Sequence, residues 1–289
     1  MTESQRTAVI TGASSGVGKE AAKALAAKGW RGIALGRDPG RARSAEAEIR
    51  AAAAPGALVD MILGDLSSLK DTARMAGEIV ALTGEVHAVL NNAGGVVAEF
   101  TLTAEGNEAT FAGNHLGPFL LTDRLMPQLR AAAAASPPGT ARIISVSSTG
   151  HASCPGIDWD DLQQTRDWRS GKSYCLAKLC NILFTRELAR RVAADGIIAN
   201  AMHPGVVASN FASHCEPGMK AYMESLDLAP PDVAGGDLVW MATEPEGGEV
   251  TGGYFHDRQP APVAPPGLDD AAATRLWAES EALVARALA

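Results

Sequence analysis

Tyr174 and Lys178 are the pair of residues whose spacing points most directly to chemistry. They lie four positions apart in KSYCLAKLCN (172–181), where Leu176 and Leu179 recur at a helical interval. Positions i and i+4 share one face of a helix, so the lysine charge lies beside the phenol and favours the phenolate. A phenol tuned in this way can act as a general acid or base near neutral pH. The alternative is an ordinary solvated helix face, where both residue types are common.

A glycine-rich turn follows the first predicted strand. In TGASSGVGKEAAKALA (11–26), Gly12, Gly16 and Gly18 lead directly into a helical pattern. Glycines let the backbone turn tightly and approach a ligand, and the free N–H groups at a helix start attract phosphate. The spacing Gly-x-x-x-Gly-x-Gly differs from the Gly-x-Gly-x-x-Gly dinucleotide fingerprint and does not share its specificity. An ordinary strand-to-helix connection is the alternative, although glycines are an entropically costly way to build one.

The end of the second predicted strand, ALGRD (34–38), bears on which dinucleotide would bind. An acidic residue there holds the adenosine ribose hydroxyls, whereas an arginine accommodates a 2′-phosphate. Gly36 occupies the discriminating position and Arg37 follows, so we expect NADP(H) to be preferred, with NAD(H) possible. The charge of Asp38 would partly offset that of Arg37. A solvated loop charge is the alternative interpretation of Arg37.

The elements that must position these groups alternate between short apolar runs and helical patterns. The candidate strands are TAVIT, GIALG, ALVDMIL, VHAVLN, RIISVS, IIANAMH and TGGYF. This alternation predicts one α/β domain over residues 1–289, a doubly wound Rossmann fold with a parallel sheet of about seven strands and helices on both faces. Because long loops in compact domains are usually functional or disordered, we expect 149–172 to be a substrate loop. We also expect a possible lid at 210–228 and an amphipathic C-terminal helix at 271–288.

Composition narrows the class of partner. The chain has 289 residues, 46% of them hydrophobic, which is ample for the core of one large α/β domain. The net charge of −8 argues against a nucleic-acid or anionic-membrane partner. The cysteines form no CxxC pair and the histidines no HExxH, so neither a disulfide framework nor a metal is expected. There is no secretory signal pattern and no long apolar run, so we expect a cytoplasmic protein without a membrane span.

Six motifs follow one another along the chain: the glycine turn, NNAG (91–94), NHLG (114–117), SVSS (145–148), Tyr174-x-x-x-Lys178 and HPG (203–205). Together they resemble the short-chain dehydrogenase/reductase family, from the first strand to the last helix. The chain looks most similar to the branch with retinol dehydrogenases and light-dependent protochlorophyllide reductases, because of GRD after the second strand, the long Ser-to-Tyr interval and LAKLCNILFTRELARR. Val206 stands where the protochlorophyllide enzymes have a cysteine, which argues against that photochemistry. Pro118 stands where relatives in this branch commonly have histidine, and it should distort its helix locally.

The resemblance implies a catalytic quartet of Asn114, Ser148, Tyr174 and Lys178. Ser147 is the competing assignment for the catalytic serine. Because neighbouring strand residues face opposite ways, only one of the two can point at the substrate, and the family pattern favours Ser148. The resemblance also implies the cofactor contacts. These are Gly12, Ser14, Ser15, Gly16, Val17 and Gly18 at the pyrophosphate, Arg37 at the 2′-phosphate, Asp65 and Leu66 at the adenine, Asn91, Ala93 and Gly94 at the ribose, Tyr174 and Lys178, and Pro204, Gly205, Val207 and Ser209 beside the nicotinamide.

The implied reaction is the NADP(H)-dependent interconversion of an alcohol and a carbonyl. Tyr174 would exchange a proton with the substrate oxygen, and Ser148 would donate a hydrogen bond to its developing negative charge. By the same resemblance, Lys178 would hold the nicotinamide ribose and Asn114 would keep a water chain. For Asn114 alone, a helix-bending polar residue with local hydrogen bonds is the alternative.

The expected substrate is a hydrophobic alcohol, ketone or aldehyde. Its pocket should be bounded by the 149–172 loop, by Val97 and Phe100, and by the 210–228 segment, although a plain surface helix explains that last segment about as well. The second hypothesis is a sensor that binds NADP(H) without turnover and acts by contacting a partner. Loss of the tyrosine or the lysine would favour it, and both are present. The chain is expected to be a monomer or a homo-oligomer.

Overall fold

An eight-stranded sheet runs through the computed structural model, which describes residues 5–208, 211, 218, 220–221 and 225–289. Its strands are β1 (Thr7–Ile10), β2 (Arg31–Gly36), β3 (Val59–Leu63), β4 (Ala88–Asn91), β5 (Arg142–Val146), β6 (Ile198–His203), β7 (Tyr254–His256) and β8 (Gln259–Pro260). They are ordered β3-β2-β1-β4-β5-β6-β7-β8. Strands β1 to β7 pair in parallel, and β8 pairs antiparallel with β7.

Helices cover both faces of this sheet. They are α1 (Gly16–Ala27), α2 (Pro39–Ala52), α3 (Leu69–Leu82), α4 (Ala109–Phe111), α5 (Gly117–Arg124), α6 (Met126–Ala134), α7 (Ser170–Val192), α8 (Pro231–Thr243) and α9 (Asp270–Leu288). A π turn, Ala112–Leu116, joins α4 to α5. Helices α1, α2 and α8 pack on one face, whereas α3, α5, α6 and α7 pack on the other, with α9 against α7 and α3.

The central strands are apolar on both sides because each face of the sheet is covered. In β1, Val9 contributes to one core, while Ala8 and Ile10 contribute to the other. The predicted fold class is confirmed, and all seven predicted strands are present. The eighth, β8, is a two-residue strand that follows a tight turn through Asp257 and Arg258, whose φ angles are 49° and 60°. Two residues are too few to produce a sequence pattern, so β8 was not predicted.

The strand order places a crevice at the carboxyl ends of β1 and β4. From β1 the chain builds outward through β2 and β3, and then crosses to β4 on the other side. Such a switch point leaves a gap above the sheet, which is where ligands bind in doubly wound folds. The glycine turn follows β1, Arg37 follows β2, and NNAG ends β4 and extends beyond it. The motifs therefore converge at one edge of the sheet.

The sequence singled out a substrate loop, a possible lid and a C-terminal helix, and the structure describes these three segments to different extents. The 149–172 segment starts as a 3-10 turn, Thr149–Ser153, and ends in the first turn of α7. Most of the possible lid 210–228 lies outside the described residues, and so does Ser209. In the part of the chain that is described, no helix has the length and apolarity needed to cross a membrane. The same residues contain no cluster of three His, Cys, Asp or Glu side chains suited to a metal ion.

Candidate active site

The turn after β1 is folded tightly against the end of β4. Gly12 and Gly16 have φ angles of 69° and 56°, a region that favours glycine, and α1 begins at Gly16. A Cβ added at Gly18 would collide with the side-chain amide of Asn92 and lie 2.6 Å from the Gly12 carbonyl oxygen. The Ser15 side chain at the N-cap makes no capping hydrogen bond. The start of α1 therefore offers backbone N–H groups at the crevice, as a phosphate site requires.

Asn92 is a structural component of this turn that the sequence did not single out. Its Nδ2 donates to the Thr11 carbonyl oxygen at 2.9 Å, and Thr11 Oγ1 accepts from the Ala93 N–H at 2.8 Å. These bonds fasten the ends of β1 and β4 to each other. The neighbouring Asn91 points elsewhere, because its buried Nδ2 donates to Thr122 Oγ1 of α5 at 2.9 Å. Both asparagines belong to the NNAG motif, but only the folded structure shows that their side chains point in different directions.

Arg37 lies at the predicted adenosine end of the crevice. A Cβ added at Gly36 would lie 2.9 Å from Ser14 Cβ, so the glycine turn and the end of β2 are in contact. The Arg37 side chain is 61% exposed, and its Nη1 is 3.7 Å from Asp65 Oδ2. Asp65 Oδ1 also accepts from the backbone N–H of Ser67 at 2.9 Å. Arg37 is therefore a largely solvated cation, held loosely at the mouth of the crevice.

Asp38 caps the start of α2, and this hydrogen bond limits the effect of its charge on Arg37. It is the N-cap of α2, where its Oδ1 accepts from the Arg41 backbone N–H at 2.7 Å. That hydrogen bond lowers the pKa of Asp38 below its ordinary value. The carboxylate is thus directed at the start of the helix, where its charge also stabilises the helix dipole.

Lys178 and Tyr174 lie on one face of α7, next to the end of β5. Lys178 Nζ lies over the Tyr174 ring, 5.4 Å from its centroid, and donates to the Val146 carbonyl oxygen at 3.1 Å. The lysine is only 3% exposed, and burial lowers its pKa to about 8. It therefore remains mostly protonated at neutral pH. Tyr174 is half-buried and meets Phe211 edge to face, with ring centroids 5.2 Å apart.

The two serines after β5 face different ways. Ser147 is buried, and its Oγ donates to the Lys178 carbonyl oxygen at 2.8 Å. Ser148 Oγ accepts from the Gly150 N–H at 3.1 Å. A Cβ added at Gly150 would lie 3.4 Å from Ser148 Oγ and 3.5 Å from Tyr174 Cε1. Ser148 and Tyr174 therefore flank the same glycine, whereas Ser147 is used to hold α7.

Asn114 lies in the π turn and holds the chain after NNAG. Its Nδ2 donates to the carbonyl oxygens of Thr110 and Gly95, at 2.7 and 2.9 Å, and its Oδ1 accepts from the Gly95 N–H at 2.9 Å. A Cβ added at Gly94 would lie 2.6 Å from Asn114 Oδ1 and 2.9 Å from Lys178 Nζ. The local hydrogen bonds and the distorted helix of the alternative interpretation are thus both present. They nevertheless place Asn114 beside Lys178.

Pro118 lies two residues beyond the π turn. It is the second residue of α5, but the residues before it are already helical, so its missing N–H removes one donor from a continuous helix. The local helix distortion expected of this proline is observed as the π turn, which ends at Leu116. π turns of this kind often occur at functional sites.

The chain after β6 borders the same crevice. Gly205, two residues beyond the end of β6, has a φ of 79°, a region that favours glycine. Val207 is buried and forms an isolated bridge with Ala229, reinforced by a 2.9 Å bond from the Ala208 N–H to the Ala229 carbonyl oxygen. Pro204 is half-buried at the end of β6. This return of the chain would border a ligand lying above β4 and β5.

The residues present fit an extended dinucleotide. The backbone is close-packed at Gly12 and Gly18, N–H groups are offered at the start of α1, a cation lies beyond β2, and Tyr174 and Lys178 lie beyond β5. Along the carboxyl edge of the sheet they follow the strand order β2, β1 and β5, which matches the order adenosine, phosphates and reactive ring in a dinucleotide. The fold and the site therefore define a Rossmann-type enzyme with a nucleotide crevice.

Comparison with known proteins agrees with this class. The family model described as short chain dehydrogenase matches residues 6–159. Human retinol dehydrogenase 13 is 35% identical over 96% of this chain and 84% of its own length, and human retinol dehydrogenase 12 is 35% identical over 93% and 83%. The chain belongs to the short-chain dehydrogenase family. It is accordingly an oxidoreductase of the alcohol and carbonyl type, from a family that uses NAD(H) or NADP(H).

Solved structures show the same fold. The crystal structure of an uncharacterized protein from Mycobacterium Paratuberculosis has a TM-score of 0.73 and 29% identity, and the match covers 98% of this chain and 94% of that one. The Pseudomonas aeruginosa RhlG/NADP active-site complex has a TM-score of 0.70 and 24% identity, covering 88% and 94%. At that identity the second match indicates the fold alone.

Proposed function

We propose that the protein interconverts an alcohol and a carbonyl on a hydrophobic small molecule, with NADP(H) as its preferred cofactor. The observation that carries the proposal is the grouping around α7. Lys178 Nζ lies over the Tyr174 ring, and Ser148 Oγ and that ring flank Gly150, at the edge of the sheet where the glycine turn lies. An acid/base group, its cation and a hydrogen-bond donor are the set that proton transfer to a substrate oxygen needs.

The cofactor would be held along the crevice by the residues named from the sequence. The pyrophosphate would lie at the turn from Gly12 to Gly18, and Asp65 and Leu66 would lie at the adenine. Ala93 and Gly94 would border the ribose, and Pro204, Gly205 and Val207 the nicotinamide. When bound, the nicotinamide supplies or accepts the hydride. Asn91 would contribute through its backbone, because its side chain is turned to α5.

The chain's own residues would then manage the proton. Tyr174 gives its hydroxyl proton to the substrate oxygen in reduction and takes it back in oxidation. Ser148 Oγ already accepts the Gly150 N–H, so its own hydrogen is available for donation to that oxygen. Lys178, protonated at neutral pH, stabilises the tyrosinate left behind. Asn114 holds Gly95 through two hydrogen bonds and lies beside Gly94 next to the lysine, and by the family resemblance it would keep a water chain there.

Apolar exposure near the proposed mouth supports a hydrophobic substrate. Phe100 is 45% exposed and meets Trp168 edge to face, with ring centroids 5.9 Å apart, and Val206 is 40% exposed just after the cofactor segment. Several relatives are named retinol dehydrogenases, which act on a polyene alcohol. We therefore infer a substrate class of apolar aldehydes, ketones and their alcohols.

Turnover tests the proposal directly. Purified protein would be mixed with NADPH and each of four carbonyl probes: all-trans-retinal, nonanal, benzaldehyde and cyclohexanone. We expect oxidation of NADPH with at least one apolar probe, and loss of about a thousandfold or more in kcat for Tyr174→Phe with NADPH affinity unchanged. Tyr254→Phe is the control, since it removes the hydroxyl of a buried tyrosine to which the proposal gives no role in proton transfer.

Two results would contradict the proposal. If the wild type turned over none of the probes while binding NADPH, the apolar carbonyl substrate class would be wrong. If Tyr174→Phe reduced a probe as fast as the wild type, the proton would come from elsewhere. Intact NADPH binding without turnover is also the result that the sensor hypothesis predicts, so affinity is measured alongside the rate.

A further inference from the structure

His151 is a buried histidine three residues beyond Ser148, and the mechanism above gives it no role. It lies in the 3-10 turn Thr149–Ser153 and is 2% exposed. Its ring reaches from the turn that carries Ser148 to the segment after β8. A buried imidazole with two defined partners has a fixed orientation, and therefore it can hold those partners relative to each other.

The two ring nitrogens of His151 have different partners. Nε2 lies 3.1 Å from the backbone nitrogen of Ala264, and Nδ1 lies 2.7 Å from the Ser148 carbonyl oxygen. A backbone N–H can only donate, so Nε2 must accept, and Nδ1 must carry the hydrogen that is donated to Ser148. The ring is therefore neutral and in one tautomer. The Ser148 oxygen also accepts the His151 backbone N–H at 3.1 Å, which closes the turn.

The far end of this bridge is fixed on α7. Ala264 precedes the 3-10 turn Pro265–Leu268, and a Cβ added at Gly267 would lie 3.3 Å from Ile182 Cγ2 and 3.6 Å from Leu179 Cδ1. Leu179 follows Lys178 directly in that helix. The Tyr254 ring of β7 packs edge-on against His151, with centroids 5.1 Å apart. His151 thus connects the turn of Ser148 to a segment docked on the helix that carries Tyr174.

We propose that His151 is a positioning residue for Ser148. Its Nδ1–H holds the Ser148 backbone so that Oγ stays beside Tyr174, and its Nε2 keeps the ring oriented by accepting the Ala264 N–H. This inference rests on the proposed function, because it matters for turnover only if Ser148 contacts the substrate oxygen. The two nitrogens have separable tasks: Nδ1 supports catalysis, and Nε2 supports the 261–268 segment.

Two substitutions separate these tasks. In His151→Asn, the side-chain Nδ2 takes the place of the imidazole Nδ1 and can donate to Ser148, but nothing reaches Ala264. In His151→Gln, the longer side chain places Oε1 near the former Nε2, where it accepts the Ala264 N–H while the donor to Ser148 is lost. We expect kcat within about threefold of the wild type for His151→Asn and about tenfold lower for His151→Gln.

A second measurement uses the other half of the bridge. Hydrogen exchange at the Ala264 amide should be faster in His151→Asn and near the wild-type rate in His151→Gln. NADPH affinity should be unchanged in both variants, because the bridge lies outside the cofactor crevice. Opposite effects on rate and on exchange are not expected from general loosening of the fold, which would lower the rate and the protection together.

The rates use whichever of the four carbonyl probes the wild type reduces fastest, with Ser148→Ala as the reference. If His151→Asn were as slow as His151→Gln, or His151→Gln as fast as the wild type, the positioning role would be wrong while Ser148 still mattered. If Ser148→Ala kept full activity, or the wild type reduced no probe, the proposed function would fail and this inference with it. The Ser148→Ala and wild-type rates therefore distinguish the two failures.

Discussion

At the scale of single residues, Lys178 combines burial with charge. Its ammonium has one described backbone acceptor, the Val146 carbonyl oxygen, and it lies above the Tyr174 ring. Burial lowers its pKa to about 8, so the environment that brings the ammonium close to Tyr174 also disfavours its charged form. The sequence alone predicts the proximity of the two groups, but not this opposing effect of burial.

This burial predicts a pH dependence of stability. An unfolded lysine has a pKa near 10.4, whereas folded Lys178 has a pKa of about 8. Between those two values the unfolded chain binds more protons, so the free energy of unfolding rises with pH in that window. We expect the wild type to gain about 3 kcal/mol relative to Lys178→Met between about pH 7 and about pH 10, measured by urea unfolding.

Lys172 supplies the control for that measurement. It lies in the same helix, and its side chain is 46% exposed. Lys172→Met should therefore follow the wild type at each pH, because its charged form has not been removed from water. Parallel pH curves for wild type and Lys178→Met would mean that Lys178 is not buried in solution.

Arg37 carries the proposed preference for NADPH. It is 61% exposed, and its described partner is Asp65 at 3.7 Å, so it is available to a phosphate. A charge-assisted contact with a phosphate contributes about 1.5 to 3 kcal/mol, so Arg37→Ala should weaken NADPH binding by about tenfold or more. NADH binding, which lacks the 2′-phosphate, should change by less than about twofold. Fluorescence titration with both nucleotides measures the two effects.

Arg43→Ala is the matched control for the nucleotide titrations. Arg43 is an exposed cation one turn into α2, away from the end of β2. Its removal lowers the net positive charge of the region by the same amount but should affect both nucleotides only slightly. Equal losses of NADPH and NADH affinity in Arg37→Ala would disprove the 2′-phosphate contact.

At the scale of elements, one buried carboxylate fastens the 149–172 segment to α4. Glu108 is fully buried. Its Oε1 accepts from the Thr110 N–H at 3.0 Å and from Trp168 Nε1 at 3.1 Å, while its Oε2 accepts from the Phe111 N–H at 2.7 Å and from Ser173 Oγ at 2.7 Å. The carboxylate therefore caps α4 and holds the end of the 149–172 segment together with the start of α7.

Glu108→Gln should loosen this segment. The new amide NH2 would face N–H or O–H donors in place of an acceptor, leaving buried donors unpaired. We expect a loss of about 3 kcal/mol in the free energy of unfolding and faster proteolysis within 154–169. Glu99→Gln, an exposed change in the same connection, should alter neither. Equal stability of Glu108→Gln and the wild type would show that the carboxylate is not needed as an acceptor of four bonds.

The elements that were predictable from the sequence are those with a local signal. The core strands read as continuous apolar runs because both their faces are covered, and the helix of Tyr174 shows its own periodicity. The long-range contacts of Glu108, Asn92 and His151 have no such signal. Their partners there are Trp168 and Ser173, Thr11, and Ala264, which lie far along the chain. The π turn at Asn114 was anticipated only as a local helix distortion, from Pro118 and from the alternative interpretation of Asn114. Residue spacing therefore could not predict the contacts that depend on tertiary packing.

At the scale of the whole molecule, the sheet joins two apolar cores into one unit. Val9 and Ile10 are neighbours in β1, yet each belongs to a different core, so neither core can be lost while β1 stays in place. The site lies at the shared edge of these strands. Its geometry therefore depends on both cores, and we expect cooperative unfolding of the molecule.

Substitutions in opposite layers test this cooperativity. Leu238 of α8 is fully buried on one side, and Trp277 of α9 packs on the other, with its ring 4.9 Å from that of Phe119. Leu238→Ala and Trp277→Ala should each cost about 3 kcal/mol, because each leaves a cavity. Both should move one calorimetric transition, with backbone and aromatic circular dichroism still coincident. The half-exposed Val233→Ala should stay within about 0.5 kcal/mol of the wild type. A second transition in either buried variant would mean that the two layers unfold separately, and the site could then be lost while one core survives.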